Sequence, residues 1–101
     1  MKDSEDTYKS NKQVNTKKYL FRKQIINEAI NFHLKGDIQE AIKYYREIIN
    51  LEFNDPNVFS NYGIILKNQG NLKEAELYTR KAIEIKPNFA NAHSNLGNIL
   101  R

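Results

Sequence analysis

Hydrophobic residues are sparse in the first 18 positions and regularly spaced after them. Tyr8 and Val14 are the sizeable apolar side chains of that first stretch, which is dominated by Lys, Asp, Asn, Ser and Thr. Such a segment buries too little to offset the entropy that it would lose on ordering. The pattern therefore predicts a flexible polar, basic tail over residues 1–20 and a folded domain over residues 21–101.

The folded domain is predicted to be helical, because its apolar residues recur three and four positions apart. Between the first two apolar segments, Gly36 can adopt the positive φ that ends a helix, and Asp37 can cap the next helix. We therefore expect a helical hairpin. The apolar positions are Phe21, Ile25, Ala29 and Phe32 in its first helix, and Ile38, Ala41, Ile42, Tyr45, Ile48 and Ile49 in its second.

The hairpin pattern recurs after 34 residues. This period predicts repeat units over about residues 22–55 and 56–89, and a partial unit over 90–101. The first and second units share Asn27/Asn61, Gly36/Gly70, Ala41/Ala75, Tyr44/Tyr78 and Ile49/Ile83, and the second and third share Asn57/Asn91, Ser60/Ser94, Asn61/Asn95, Gly63/Gly97 and Leu66/Leu100.

A helix-turn-helix unit of this length resembles the tetratricopeptide repeat. The matching positions are Tyr62–Gly63 for the motif's Leu-Gly, Leu66 for its first-helix Tyr, Gly70 at the turn, Ala75 and Ala82 as small second-helix residues, and Pro87 at the close. The resemblance implies an all-α, right-handed α-solenoid of antiparallel helix pairs. It would contain two full repeats plus the first helix of a third.

The two ends of the array depart from the motif. The first unit is interpreted as an edge repeat, with Glu28, Ala29, Ile48 and Phe53 at motif positions that usually hold Leu, Gly, Ala and Pro. The last helix is expected either to cap the stack or, as we favour, to belong to a longer array of which this chain is a fragment. Exposed apolar faces are expected at Leu96, Ile99 and Leu100 and at Phe21, Ile25 and Phe32.

Charge, cysteine content and hydropathy indicate which compartment and which partners to expect. The net charge of +4 falls entirely within residues 1–23, which hold seven basic and three acidic side chains. A tail of this charge favours solubility, and we do not expect a nucleic-acid partner. The chain has no cysteine and no apolar run approaching the roughly 18 residues of a membrane span. We expect a cytoplasmic protein without a membrane partner.

Catalytic chemistry has no support in the sequence. His33 and His93 are far apart and lack neighbouring metal-ligand residues, and the glycines occupy repeat positions rather than a phosphate-binding loop. No serine stands in a nucleophile setting. We therefore expect no enzyme activity, no cofactor and no metal.

The candidate site is a ladder of asparagines at one repeat position, Asn27, Asn61 and Asn95. A side-chain amide can both donate to and accept from a peptide backbone. The resemblance implies that these residues line the concave groove, as similar ladders do in the repeat arms of O-linked N-acetylglucosamine transferases. Common descent of the repeats is the alternative explanation. The predicted groove residues are Lys23, Asn27, Ile30, Asn57, Asn61, Ile64, Asn91, Asn95 and Asn98.

The first functional hypothesis is a non-catalytic protein-protein interaction or scaffold module that binds an extended peptide in this groove. The carboxylate clamp of other tetratricopeptide domains is not formed, because its places hold Ile26, Ile30, Asn91 and Asn95, with only Asn61 matching. The alternative is the substrate-recruiting arm of a longer enzyme of the glycosyl- or sulfotransferase type. A third hypothesis is self-association through the open repeat ends.

Overall fold

The computed structural model describes the backbone of residues 4–101 and the side chains of residues 16–101. Over that range the regular structure is helical, which confirms the predicted all-α class. Consecutive helices pair antiparallel, α1 with α2 and α3 with α4, and α5 packs on both α3 and α4 to continue the solenoid. The helices are α1 (Ser4–Leu34), α2 (Ile38–Asn50), α3 (Pro56–Asn68), α4 (Leu72–Ile85) and α5 (Ala90–Ile99).

The turns inside the two helix pairs have the same geometry. Gly36 and Gly70 have φ of +81° and +84°, in the left-handed region that a side chain disfavours. In the first turn, the N–H of Asp37 donates to the carbonyl of Phe32 at 2.9 Å, and the second turn repeats this bond. These bonds satisfy carbonyls that the helix end leaves unpaired. Asp37 stands at the predicted N-cap, but its side chain makes no cap hydrogen bond.

The connection between the two repeats differs from the turns inside the helix pairs, both where α2 ends and where α3 begins. Helix α2 closes through Glu52, whose φ of 60° places a residue with a side chain in the left-handed region. Helix α3 begins at Pro56, and the Asp55 carboxylate accepts from the N–H groups of Asn57 and Val58 at 2.9 and 3.1 Å. This capping fixes where the third helix starts and holds Asn57 on its first turn.

The core runs through both repeats. Large side chains fill its centre, and alanines with no exposed surface let the helices approach one another. Tyr45 and Tyr62 are 0% and 3% exposed. The main cluster includes Ala29, Ala41, Tyr45, Ile48, Val58, Tyr62, Leu66 and Ala75, and a second cluster at the α5 end holds Phe59, Ala82 and Ala92.

Two of the apolar residues expected to be exposed are in fact buried. Ile25 and Ile99 retain only 7% and 8% of their surface and belong to the main core cluster. Phe32 is half-buried and stacks on Tyr44 with ring centroids 5.3 Å apart. The expectation was wrong for these positions because other helices cover them. The second helix of a pair covers part of the first helix, and α3 covers part of the last helix, even where a further repeat is missing. Phe21 and Leu100 remain exposed.

Helix α1 begins far upstream of the predicted domain boundary. Its backbone is helical from Ser4, through most of the segment that the composition predicts as a flexible tail, while residues 1–3 lie outside the described part. The side chains of residues 16–20 are all exposed. Extending a helix that is already anchored needs no new nucleus, so backbone hydrogen bonds can propagate without burial.

Among the helices of residues 4–101, none combines the length and the hydrophobicity that crossing a membrane requires.

Candidate peptide-binding groove

The three ladder asparagines lie on the first helix of each successive unit, α1, α3 and α5. Asn27 is exposed, whereas Asn61 and Asn95 are half-buried. The Asn95 amide donates to the hydroxyl of Ser60 at 3.1 Å and so links α5 to α3. Asn61 forms a hydrogen bond with the Tyr45 hydroxyl, which links α3 to α2. Two ladder amides therefore also hold the fold together.

A concavity lies between α1 and the start of α3. It has a volume of about 400 Å³ and brings together four of the nine predicted groove residues: Lys23, Asn27, Ile30 and Asn57. Its remaining lining residues were not predicted as groove residues, and they are Tyr19, Arg22, Ile26, Phe53, Asn54 and Asp55.

The other five predicted groove residues are outside this cavity. Asn61 and Ile64 lie further along α3 and are half-buried. On α5, Asn91 and Asn98 are exposed, and Asn95 is half-buried against Ser60. The predicted set is thus divided between one cavity at the α1 end and a flatter surface along α3 and α5.

An aromatic and cationic cluster forms the wall that sequence reasoning missed. Arg22 places its Cζ 4.5 Å from the centroid of the Phe53 ring. Phe53 is 7% exposed and meets Phe21 edge to face, with centroids 6.2 Å apart. A signal was present in the sequence, because Tyr19, Lys23 and Ile26 share the helical spacing of Asn27 and Ile30. Phe53 replaces the proline that closes the repeat motif and supplies the ring on which Arg22 packs.

A buried polar connection lies behind the groove surface. The Tyr45 hydroxyl meets His33 Nδ1 at 3.1 Å as well as Asn61. Burial lowers the pKa of His33 below its ordinary value of 6.5. Burial also raises the pKa of Tyr45, an effect that the hydrogen bond with Asn61 opposes. Both shifts favour a neutral imidazole paired with a protonated phenol.

The second histidine of the chain lies at the connection between α4 and α5. His93 Nε2 donates to the Pro87 carbonyl at 2.7 Å, so this imidazole holds the α4–α5 connection. No group of three or more His, Cys, Asp or Glu residues suited to a metal occurs among the described residues. The groove surface carries amides, apolar side chains and cations. Groups of these kinds can bind a ligand.

Comparison with protein families agrees with this architecture. The sequence matches the tetratricopeptide repeat over residues 56–89, and a second model of the same family matches residues 26–55. The chain belongs to the tetratricopeptide repeat family. Repeats of this family are generally protein-protein interaction modules and are typically non-catalytic. No curated protein matched the chain.

Proposed function

We propose that this chain binds an extended segment of a partner protein along the surface formed by α1, α3 and α5. The observation that carries the proposal is the cavity of about 400 Å³ between α1 and α3, which combines apolar and amide side chains. Ile26, Ile30 and Phe53 supply the apolar part of its lining, and Asn27 and Asn57 supply amides. An extended polypeptide presents side chains and backbone amides in alternation, and this lining suits both.

The spacing of the repeats supports an extended ligand. Packed helices lie about 8–10 Å apart, which corresponds to roughly three residues of extended chain at 3.3 Å each. Asn57 on α3 and Asn91 on α5 occupy the same repeat position and are both exposed. Their amides can therefore pair with backbone groups spaced about three residues apart in one bound segment. Affinity would come from several modest contacts.

The test is a selection of random twelve-residue peptides displayed on phage and captured by the immobilised chain. Enriched peptides are then synthesised and titrated by fluorescence anisotropy. The test variant is N27A/N57A/N91A, which removes three exposed amides of the predicted groove. The control is N31A/N50A/N88A, which removes three exposed amides elsewhere. Asn61 and Asn95 are left intact because their hydrogen bonds to Tyr45 and Ser60 stabilise the fold.

Binding should weaken at least about tenfold in the groove variant, as expected for loss of more than one hydrogen bond at about 1 kcal/mol each. The control variant should bind like the wild type. Equal binding by both variants, with both folded by circular dichroism, would contradict the proposed surface. Failure of the wild-type chain to enrich any peptide would contradict binding of extended segments altogether.

A further inference from the structure

We propose that the segment bound in the groove carries an acidic side chain, whose carboxylate is received by Arg22 and Lys23 at the α1 end. This inference rests on the proposed function and adds the chemistry of the ligand. Both cations line the cavity and both are exposed.

Arg22 is oriented before any ligand arrives. Its guanidinium lies over the face of Phe53, with 4.5 Å between Cζ and the ring centroid. Phe53 is itself fixed, because it is almost fully buried and Phe21 meets it edge to face. A guanidinium packed on an aromatic ring can still donate two parallel hydrogen bonds from its edge to one carboxylate.

Lys23 adds a second positive charge beside it. Its Nζ lies 6.0 Å from the centroid of the Tyr19 ring, which also lines the cavity. Within residues 16–101, the ion pairs are Lys43–Glu40 and Arg80–Glu76, both distant in the fold from this end of α1. Neither Arg22 nor Lys23 is therefore neutralised by a described carboxylate, and both charges remain available.

The cavity also holds an anionic group, which is already engaged. Asp55 is the acidic residue among those that line the cavity. Its Oδ1 accepts from the N–H groups of Asn57 and Val58 at 2.9 and 3.1 Å. The positive end of the α3 dipole offsets part of its charge. Positive potential is reinforced by α1 itself, since residues 16–23 contain four basic side chains and no acidic one.

The carboxylate is assigned to a side chain within the segment rather than to a chain terminus. Helix α1 continues N-terminal to Arg22 with exposed side chains at residues 16–20, so its described surface extends beyond the two cations. A bound backbone can therefore run past them in both directions. A basic side chain at the same place would be repelled, which gives the groove selectivity as well as affinity.

The experiment is the phage selection with peptides fused through their C-termini, so that no free terminal carboxylate is present. It is run on the wild type, on R22Q/K23Q and on the matched variant K17Q/K18Q, which removes two exposed lysines that do not line the cavity. Selected peptides are synthesised as C-terminal amides, each with a partner in which the acidic residue is replaced by its amide. A free-acid version of each is also titrated.

Peptides enriched on the wild type and on K17Q/K18Q should contain an excess of Asp and Glu, and this excess should vanish on R22Q/K23Q. Replacing the acidic residue by its amide should weaken binding to the wild type about tenfold, as for loss of a charge-assisted hydrogen bond. The same replacement should have less than about a twofold effect on R22Q/K23Q. The charge-reversed variant R22E/K23E should enrich basic peptides instead.

Peptides that depend on Asn27 and Asn57 but show no acidic preference would overturn this inference and leave the proposed groove intact. Tenfold tighter binding of free-acid peptides would overturn the assignment to a side chain. If no peptide depends on the groove asparagines, both the inference and the proposed function are wrong.

Discussion

Gly63 of α3 faces the Oγ1 of Thr79 across the interface with α4. A Cβ atom at Gly63 would lie 2.5 Å from that oxygen and 3.3 Å from the carbonyl oxygen of Ala75. Helix α4 can approach this closely only because position 63 has no side chain. Gly97, the equivalent residue of the third unit, has nothing within 4 Å of its Cβ position. The same residue type therefore has different consequences in the two helices.

Gly63→Ala is expected to destabilise the chain by about 1–3 kcal/mol, because the added methyl group overpacks the α3–α4 interface. Gly97→Ala is the matched control and should stabilise α5 by about 0.5–1 kcal/mol, since alanine favours helix where space is open. Urea unfolding followed by circular dichroism measures both changes. Adding Thr79→Ala to Gly63→Ala should recover part of the loss. Equal effects at the two glycines would contradict the packing described here.

Thr79→Val is expected to raise the free energy of unfolding by about 1 kcal/mol. Thr79 is 0% exposed, and its Oγ1 has no hydrogen-bond partner among the described residues. Valine keeps the shape of the side chain and removes the buried polar atom. Urea melts of Thr79→Val and Thr79→Ala separate the two contributions, since the alanine variant also loses packing. A destabilised valine variant would show that the hydroxyl is satisfied in solution.

Glu52→Gly is expected to stabilise the connection between the repeats by about 0.5–1 kcal/mol. Glu52 ends α2 with φ of 60°, and the N–H of the next residue, Phe53, donates to the Ile48 carbonyl at 3.2 Å. A residue with a Cβ pays about 1–2 kcal/mol for this conformation, which exceeds the extra entropy that glycine loses. Thermal melts give the change. Glu52→Ala serves as the control and should bring no comparable gain.

Stability is expected to fall as the pH is lowered through about 6.5, the ordinary pKa of histidine. Burial lowers the pKa of His33 in the folded chain, so the unfolded chain takes up the proton first. The contribution of the neutral imidazole is complete above the unfolded pKa and is lost as the pH falls toward the lower folded value. Urea melts between pH 8 and pH 5 test this. If the His33→Gln variant shows the same dependence of stability on pH, other titrating groups cause that dependence.

Removal of residues 1–18 is expected to change the free energy of unfolding by less than about 0.5 kcal/mol, since the described side chains of that segment are exposed. The helical circular dichroism per molecule should nevertheless fall, because α1 begins at Ser4. Cavity residues such as Tyr19 are retained in this variant. A large drop in melting temperature would mean that the upstream part of α1 packs on the repeats.

The periodicity of apolar residues was sufficient to predict the helix pairs, their turns and the repeat family, because each is determined by local spacing. The upstream part of α1 could not be predicted this way, because its sequence has no regular apolar spacing. The partners of Asn61 and Asn95 depend on which helices meet, and so do the burial of Ile25 and Ile99. The contact of Arg22 with Phe53 joins two elements distant in sequence and has no local signature.

Two tyrosines lie at the junction of the two repeats, so tyrosine fluorescence is sensitive to that junction. The chain has six tyrosines and no tryptophan, so near-ultraviolet absorbance and emission come from tyrosine. Tyr45 of α2 and Tyr62 of α3 are buried with centroids 6.3 Å apart, and Tyr62 also accepts a hydrogen bond from Arg46 of α2. Part of the tyrosine emission therefore responds to the docking of one repeat against the next, whereas circular dichroism reports on helix content. Because repeat arrays can unfold unit by unit, the two signals together distinguish undocking of the repeats from melting of their helices.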